Sequence, residues 1–179
     1  VIIKLLERTF NQILDFYSRR SYQEVSKMPI PDRYNKGYNL GVGGAVVAND
    51  RLLLVRRSSR RGRGNWQIPG GFVEVDETIE KAVIREVMEE AGVISQVKGV
   101  LGIRNRYSEE NGNSIYVVFL MDHISGDASP DQREVDKAKF LYLDEILQLP
   151  QIPDINKEVA RRALSPEPRL LDPKYLIHA

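Results

Sequence analysis

The stretch from Gly71 to Val93 reads GFVEVDETIEKAVIREVMEEAGV and carries the most informative pattern in the chain. It predicts a helix from Thr78, a residue type favoured at the N-cap, to Ala91, because Gly92 follows where helices commonly end. A period of 3.6 residues places four apolar side chains of this helix on one stripe. They are Ile79, Ala82, Val83 and Val87. The stretch therefore predicts a helix that packs one face against a core.

The acidic residues of this stretch lie where a surface helix would not place them. Seven acidic and two basic side chains give it a local charge of −5, in a chain of net charge +1. Glu86 and Glu90 fall in the middle of the apolar stripe, and Glu89 lies at its edge. Burying unpaired carboxylates costs on the order of several kcal/mol per ion, so a cation must compensate. Since Lys81 and Arg85 point elsewhere on the helical wheel, the pattern favours Mg²⁺ or Mn²⁺, with an exposed acidic helix end as the alternative.

The same stretch resembles the Nudix box. Gly71, five residues, Glu77, seven residues and then REVMEEAGV at 85–93 match the box at seven specified identities and two apolar positions. The preceding WQIPGG at 66–71 is similar to the approach to the box in Nudix hydrolases. This resemblance covers roughly residues 40–147. It implies a Nudix fold, in which a mixed β-sheet is sandwiched between helices, here with an extra N-terminal helix.

The resemblance also implies an activity and a set of metal ligands. Nudix hydrolases use water to attack one phosphorus of a nucleoside diphosphate linked to another moiety. By this resemblance Glu86, Glu89 and Glu90 would bind Mg²⁺ or Mn²⁺ together with the carbonyl of Gly70, and Glu89 and Glu90 are assigned a catalytic role. Glu134 is a third catalytic candidate, because many Nudix hydrolases have a metal-binding or general-base glutamate near this place. An ordinary surface acid is the alternative for Glu134.

Residues around the box are candidates for structural and substrate-binding roles. The resemblance implies an ion pair between Glu77 and Arg85 that holds the loop of the box. Upstream, the segment 51–64 contains six arginines and no acid, and the planar arginine fork suits phosphate oxygens. We favour Arg57 for substrate binding because it lies nearest the predicted strand end. A solvated surface loop is the alternative for the segment as a whole.

Two aromatic residues are candidates for stacking on a base. Trp66 precedes the box and Tyr107 follows it on a predicted strand. A place in the core is the alternative for both, and it is the more common one for aromatic residues near strands. Gly43 and Gly44 are assigned to close backbone packing, because no helix follows them as a phosphate-binding loop would require.

Short apolar runs separated by polar turns predict the remaining elements. Because some connections are too short for crossovers, a mixed sheet in an α/β fold is expected. The predicted strands are Val42–Ala48, Leu52–Val55, Val97–Arg106, Ser114–His123 and Lys139–Leu143, and the predicted helices cover Asp144–Leu147 and Asp154–Leu164.

The chain divides into an amphipathic helix and linker (1–38), a hydrolase domain (39–164) and a proline-containing tail (165–179). The N-terminal helix is expected to bury an apolar stripe that includes Leu6, Phe10 and Ile13, either against the core or in a homodimer. The longest strongly apolar run, Ile115–Met121, is too short to cross a bilayer, so no membrane partner is expected. The net charge of +1 argues against a nucleic-acid partner.

Composition excludes several kinds of site. The chain has no cysteine, which excludes disulfides, thiolate metal sites and the isopentenyl diphosphate isomerase branch, and which fits a cytoplasmic location. The SQPWPFP signature of the NADH pyrophosphatase branch is absent. A Nudix-fold binding module without turnover is the alternative to a hydrolase, but it would be expected to have lost box carboxylates that this chain keeps.

The substrate is expected to be a small nucleotide, either a nucleotide sugar such as ADP-ribose or a nucleoside triphosphate. No proline lies between Val93 and Met121, where ADP-ribose hydrolases often carry one. Tyr107 falls slightly early for the tyrosine of dinucleoside polyphosphate hydrolases. The sequence therefore leaves the choice of nucleotide open.

Overall fold

The computed structural model describes residues 38–59, 62–109 and 112–168. Within these residues the chain forms seven strands and three helices. The strands are β1 (Asn39–Ala48), β2 (Arg51–Arg57), β3 (Trp66–Gln67), β4 (Gly70–Phe72), β5 (Ile94–Ser108), β6 (Gly112–Ser125) and β7 (Val135–Leu141). The helices are α1 (Ile79–Ala91), α2 (Leu143–Gln148) and α3 (Asp154–Ala163).

Strand β1 is the hub of a mixed sheet. It pairs in parallel with β6 and antiparallel with β2 and β4, and β6 continues antiparallel to β5. Strand β2 also pairs antiparallel with β3 and β7. Strands β1 and β2 are joined by Asn49 and Asp50, whose φ angles of 49° and 59° suit a two-residue hairpin turn that follows the strand twist. The mixed sheet predicted from short connections is confirmed.

Helices cover both faces of the sheet, as the period-2 pattern of β2 requires. Leu53 and Val55 join the cluster packed under α1, whereas Leu52 and Leu54 join the cluster that contains Ile146 of α2 and residues of α3. All four leucine and valine side chains of β2 are fully buried. Each contributes roughly 1.5–3 kcal/mol by leaving water, so β2 is a main support of the α/β/α sandwich.

Helix α1 begins and ends where its sequence predicts. The Thr78 side chain accepts a hydrogen bond from the backbone N–H of Lys81 at 3.3 Å. Gly92 adopts a left-handed conformation, φ 66°, and its N–H donates to the carbonyl of Met88. A Cβ on Gly44 would lie 2.6 Å from Val87 Cγ2, so this glycine lets α1 approach β1 closely. This agrees with the packing role assigned to Gly43 and Gly44.

The largest difference from a predicted boundary is in the last strand. The strand expected over Lys139–Leu143 runs instead from Val135 to Leu141, and Leu143 already belongs to α2. The backbone N–H of Tyr142 donates to Glu145 Oε2 at 2.8 Å. This N–H is therefore bonded to a side chain of α2 and not to a neighbouring strand.

Several predictions concern residues outside the described part of the chain. These are the N-terminal helix with its homodimer, Arg60 and Arg61 of the basic segment, and the tail beyond residue 168. Among the described residues, no helix is long and apolar enough to cross a membrane.

Candidate active site

Glu90, in the last turn of α1, is held in the core by a backbone hydrogen bond. Only 4 % of the residue is exposed, and its Oε2 accepts from the N–H of Gly70 at 2.9 Å. Gly70 is fixed in turn because β4 pairs with Gly41–Gly43 of β1. Burial is the main reason that the pKa of Glu90 rises to about 7, and the nearby Glu86 charge adds to the rise.

Glu86 lies one turn earlier on the same face. A Cβ on Gly71 would come within 2.5 Å of Glu86 Oε1, so the space for this carboxylate depends on glycine at position 71. Burial raises the pKa of Glu86, and hydrogen bonding to Arg85 partly opposes this rise. The two carboxylates therefore lie together in a poorly solvated place, as the wheel predicts.

Arg85 connects several acidic residues of the box through hydrogen bonds. It donates to both carboxylate oxygens of Glu77, at 2.6 and 3.1 Å, and this pairing is the largest cause of its raised pKa. Its Nη1 also donates to Glu86 at 2.9 Å and to Glu89 at 3.2 Å. The expectation that Arg85 points away from the acidic cluster is therefore wrong. A long side chain can leave the helix in one direction and place its guanidinium in another, which a helical wheel does not represent.

Glu89 and Glu134 are more exposed than the other two carboxylates. The Glu89 side chain is 59 % exposed and turns toward Arg85. Glu134 is exposed, yet its charge raises the pKa of Glu86 and of Glu90, which places it near the pair. The loop before β7 holds Glu134, because its N–H donates to Asp131 Oδ1 at 3.1 Å and its carbonyl accepts from the N–H of Ser58.

The carboxylates fit a divalent cation in chemistry, although they are not already gathered around one point. Within the described ranges, no three acidic or histidine side chains are grouped closely enough to form a ready-made metal site. The half-buried Glu86 and the buried Glu90 are nevertheless hard oxygen donors that repel each other, and Arg85 offsets only part of their charge. Mg²⁺ or Mn²⁺ suits such a donor set.

A cleft of about 420 Å³ opens beside these carboxylates. Its floor consists of rows of residues that face one another across three strands. One row joins Gly41 of β1, Tyr116 of β6 and Arg104 of β5, and the next joins Asn39, Ser114 and Arg106. Helix α3 contributes Ile155, Asn156 and Val159 to the lining, and Gly70 and Gly71 lie at the carboxylate end. No acidic side chain among the described residues lines the cleft.

Arg57 links the cleft to the carboxylates. It lines the cleft, and its charge lowers the pKa of Glu90 against the stronger effect of burial. Its Nη2 donates to Ser59 Oγ at 3.1 Å, whereas its buried Nε has no hydrogen-bond partner. Arg57 has no ion pair with a described acidic side chain, so its guanidinium is suited to receive an anionic group at the cleft.

The other described arginines of the basic segment do not line the cleft. Arg56 forms a two-pronged ion pair with Asp136, at 2.7 and 2.8 Å. Arg63 donates to the carbonyl of Ser58, and Arg51 lies over the Tyr142 ring at 5.7 Å from its centroid. The segment is therefore divided between structural contacts and one arginine at the site.

The two aromatic candidates are not brought to the cleft. Trp66 is 6 % exposed and packs in the cluster that contains Leu52, Leu54 and Ile146. Tyr107 is 64 % exposed and alternates along β5 with Arg106 and Ser108, which do line the cleft. Trp66 therefore lies in the core, which was the alternative to stacking on a base. Because side chains alternate between the two faces of a strand, Tyr107 points away from the cleft.

Three cleft residues are absent from the sequence-based candidates: Tyr116, Arg104 and Arg106. The pKa of Tyr116 is raised by burial, with further contributions from Glu90 and Glu86, so this phenol stays protonated beside the carboxylates. A Cβ on Gly41 would lie 2.8 Å from Tyr116 Cδ2, which explains a glycine opposite the ring. The alternation of Arg104, Arg106 and Ser108 along β5 is a sequence signal for one polar face.

Comparison with known proteins agrees with this geometry. The family model described as the NUDIX domain matches residues 37–163. The chain is 36% identical over 136 residues to an ADP-ribose pyrophosphatase of Methanocaldococcus jannaschii, covering 71% of this chain and 79% of that protein. It is 38% identical over 124 residues to the NAD-capped RNA hydrolase NudC of Photorhabdus laumondii, covering 66% of this chain but only 43% of that longer relative.

Among solved structures, the NUDIX domain of Shewanella oneidensis NrtR in complex with ADP ribose is similar in fold. The TM-score is 0.63 at 25% identity, and the match covers 80% of this chain and 98% of that domain.

Proposed function

The chain belongs to the Nudix family of pyrophosphohydrolases, and we propose that it uses a divalent metal ion to hydrolyse nucleoside diphosphates linked to a second moiety. The leading substrate is ADP-ribose. One observation carries the proposal. Two mutually repelling carboxylates, the buried Glu90 and the half-buried Glu86, lie at one end of a cleft whose charged lining is basic. Such an arrangement suits a cation between carboxylates and phosphate oxygens.

Glu86, Glu90 and the carbonyl of Gly70 would hold Mg²⁺ or Mn²⁺, with Glu89 as a further ligand. The bound ion would neutralise the diphosphate oxygens and lower the pKa of the attacking water. Arg85 keeps Glu86 in position through its 2.9 Å hydrogen bond, and Glu77 fixes Arg85 in turn. The box thus supplies both the ligands and the groups that orient them.

The remaining residues act on the substrate and the water. Arg57 would bind diphosphate oxygens with guanidinium N–H donors, because it lines the cleft. Glu134 would accept the proton of the attacking water on a carboxylate oxygen. The water oxygen forms a bond to one phosphorus, the bond from that phosphorus to the bridging oxygen breaks, and the products are a nucleoside monophosphate and a phosphorylated second moiety.

ADP-ribose is favoured for two reasons. The cleft volume of about 420 Å³ is that of a small-molecule site, and its apolar residues Ile155 and Val159 can cover a base. The similar proteins include an ADP-ribose pyrophosphatase and a domain solved with ADP ribose. Because the NudC relatives extend well beyond this chain, their substrate is a weaker guide.

The deciding experiment is a hydrolysis assay of purified protein with ADP-ribose, and with ATP as the nucleoside triphosphate. Mg²⁺ or Mn²⁺ should be required, AMP should appear from ADP-ribose, and ¹⁸O-water should label the phosphorus that is attacked. Glu86→Gln and Glu90→Gln proteins serve as matched controls. Tight ADP-ribose binding without metal-dependent turnover would instead assign the chain to the binding modules.

A further inference from the structure

Two arginines stand side by side on the cleft floor, away from the carboxylates. Arg104 and Arg106 are two positions apart on β5, and both line the cleft. Arg104 is paired across the sheet with Tyr116, and Arg106 is paired with Ser114. The Ser114 hydroxyl donates a long hydrogen bond of 3.4 Å to the Arg106 carbonyl, so it lies at the same point of the floor and would rotate to donate to a ligand instead. A concentrated positive charge and a hydroxyl thus face one end of the cleft.

Nothing in the described part of the chain neutralises this charge. Neither guanidinium has an ion pair with a described acidic side chain, whereas Arg56 and Arg85 both have one. Burial, and then the charge of Arg106, lower the pKa of Arg104. Arg106 is exposed and Arg104 is half-buried, so water screens part of their repulsion, and a bound anion would relieve the rest.

Arg106 lies further from the catalytic end than the scissile diphosphate alone explains, and the row of Arg104, which begins at Gly41, lies between the two. Gly70 pairs with Gly43, and the row of Arg106 begins at Asn39, four residues further along β1. At about 3.3 Å per residue the two rows are roughly 13 Å apart. The phosphorus atoms of a diphosphate share one bridging oxygen, so a diphosphate held at Gly70 and Arg57 leaves the Arg106 row for another group.

We propose that Arg104, Arg106 and Ser114 form a second anion subsite, which binds a phosphate monoester on the ribose of the substrate, remote from the bond that is cleaved. A phosphate monoester carries about −1.5 to −2 charge at neutral pH and three acceptor oxygens, which matches two guanidinium groups and one hydroxyl. A carboxylate has half that charge and fewer acceptors. The statement that this phosphate is remote from the cleaved bond rests on the proposed function.

The kinetic test uses two substrates that differ by one phosphate, ADP-ribose and ADP-ribose 2′-phosphate. The phosphorylated substrate should have a KM at least about tenfold lower, with a similar kcat, because the added contacts are the same in the ground and transition states. In Arg106→Gln this advantage should fall below about twofold, because the KM for the 2′-phosphate should rise far more than the KM for ADP-ribose. Lys98→Gln, a charge removal on β5 outside the cleft, is the matched control.

A binding test separates this inference from the hydrolase proposal. Calorimetry on the metal-free protein compares AMP, adenosine 2′,5′-bisphosphate and adenosine 3′,5′-bisphosphate. At least one bisphosphate should bind about tenfold more tightly than AMP, and Arg106→Gln should remove the gap. The same comparison distinguishes a 2′-phosphate from a 3′-phosphate, and it stands even if no hydrolysis is found.

Three outcomes would overturn the subsite. The extra phosphate could leave both KM and Kd unchanged, or its advantage could persist in an Arg106→Gln protein with an unaltered melting temperature. Equal losses for ADP-ribose and its 2′-phosphate in Arg106→Gln would show instead that these arginines clamp the scissile diphosphate.

Discussion

The two ends of the site differ in whether their charged side chains are paired within the protein. At the carboxylate end, Arg85 holds Glu77, Glu86 and Glu89 through hydrogen bonds of 2.6–3.2 Å. At the cleft end, Arg104 and Arg106 line the cleft and have no described acidic partner. The first end is held in place by the protein itself, and the second is left for a ligand. Substitutions at the first end should therefore change catalysis, and those at the second should change binding.

The largest effect is expected from Glu90→Gln and Glu86→Gln. Each change keeps the size of the side chain but removes a negative ligand charge, so metal-dependent kcat should fall by about a thousandfold. The metal-free Glu90→Gln protein should melt at the same temperature as the native protein or higher, because a buried repulsive carboxylate is relieved. In Glu86→Gln the loss of the ion pair with Arg85 offsets this gain, so its melting temperature should stay about the same. Hydrolysis assays beside thermal melts test this. Full activity in either variant would remove that glutamate from the metal ligands.

Glu134→Gln should lower kcat by about a hundredfold, near the small end of general-base effects, because the residue is exposed and water can partly replace it. The KM should change little, since Glu134 does not line the cleft. The pH–rate profile of the variant, beside that of the native protein, is the measurement. A variant with near-native kcat would transfer the base role to the box glutamates.

Gly71→Ala tests how closely the carboxylate end is packed. The added methyl group would fall 2.5 Å from Glu86 Oε1, so Glu86 must move and activity should fall by about ten- to a hundredfold. Gly99→Ala is a matched control, because its Cβ would meet no atom within 4 Å. Equal activity of the two variants would show that Glu86 tolerates displacement.

Arg57→Ala should have the smallest effect, a rise of about tenfold in KM with kcat nearly unchanged, if Arg57 holds phosphates equally in the ground and transition states. Arg63→Ala, which removes an arginine of the same segment that does not line the cleft, should leave both constants unchanged. A selective fall in kcat for Arg57→Ala would place this arginine in the catalytic end instead.

The difference between the two ends also explains what the sequence could predict. Within one helix a fixed period relates position to direction, so the limits of α1 and the burial of Glu86 and Glu90 followed from the residues alone. The direction of the end of a long, flexible side chain does not follow from that period. For this reason the contact between Arg85 and Glu86 was missed.

The cleft end depends on strand register, which the sequence does not contain. Strands β5 and β6 change register between Val97 and Gly99, and again between Val100 and Gly102. Each irregularity alters which face the following residues occupy, so alternation along β5 could not assign Arg104 and Arg106 to the cleft. Trp66 was misjudged as a stacking candidate because its burial depends on α2, an element far along the chain.

The parallel pairing of β1 with β6 has a consequence for the order of folding. Leu40 lies opposite Ile115, 75 positions later, whereas the β1–β2 turn and α1 involve near neighbours. Distant pairings carry a larger chain-closure cost and form late, so the floor of the cleft should assemble after the hairpin and the helix. During refolding, helical signal should therefore return before the capacity to bind nucleotide.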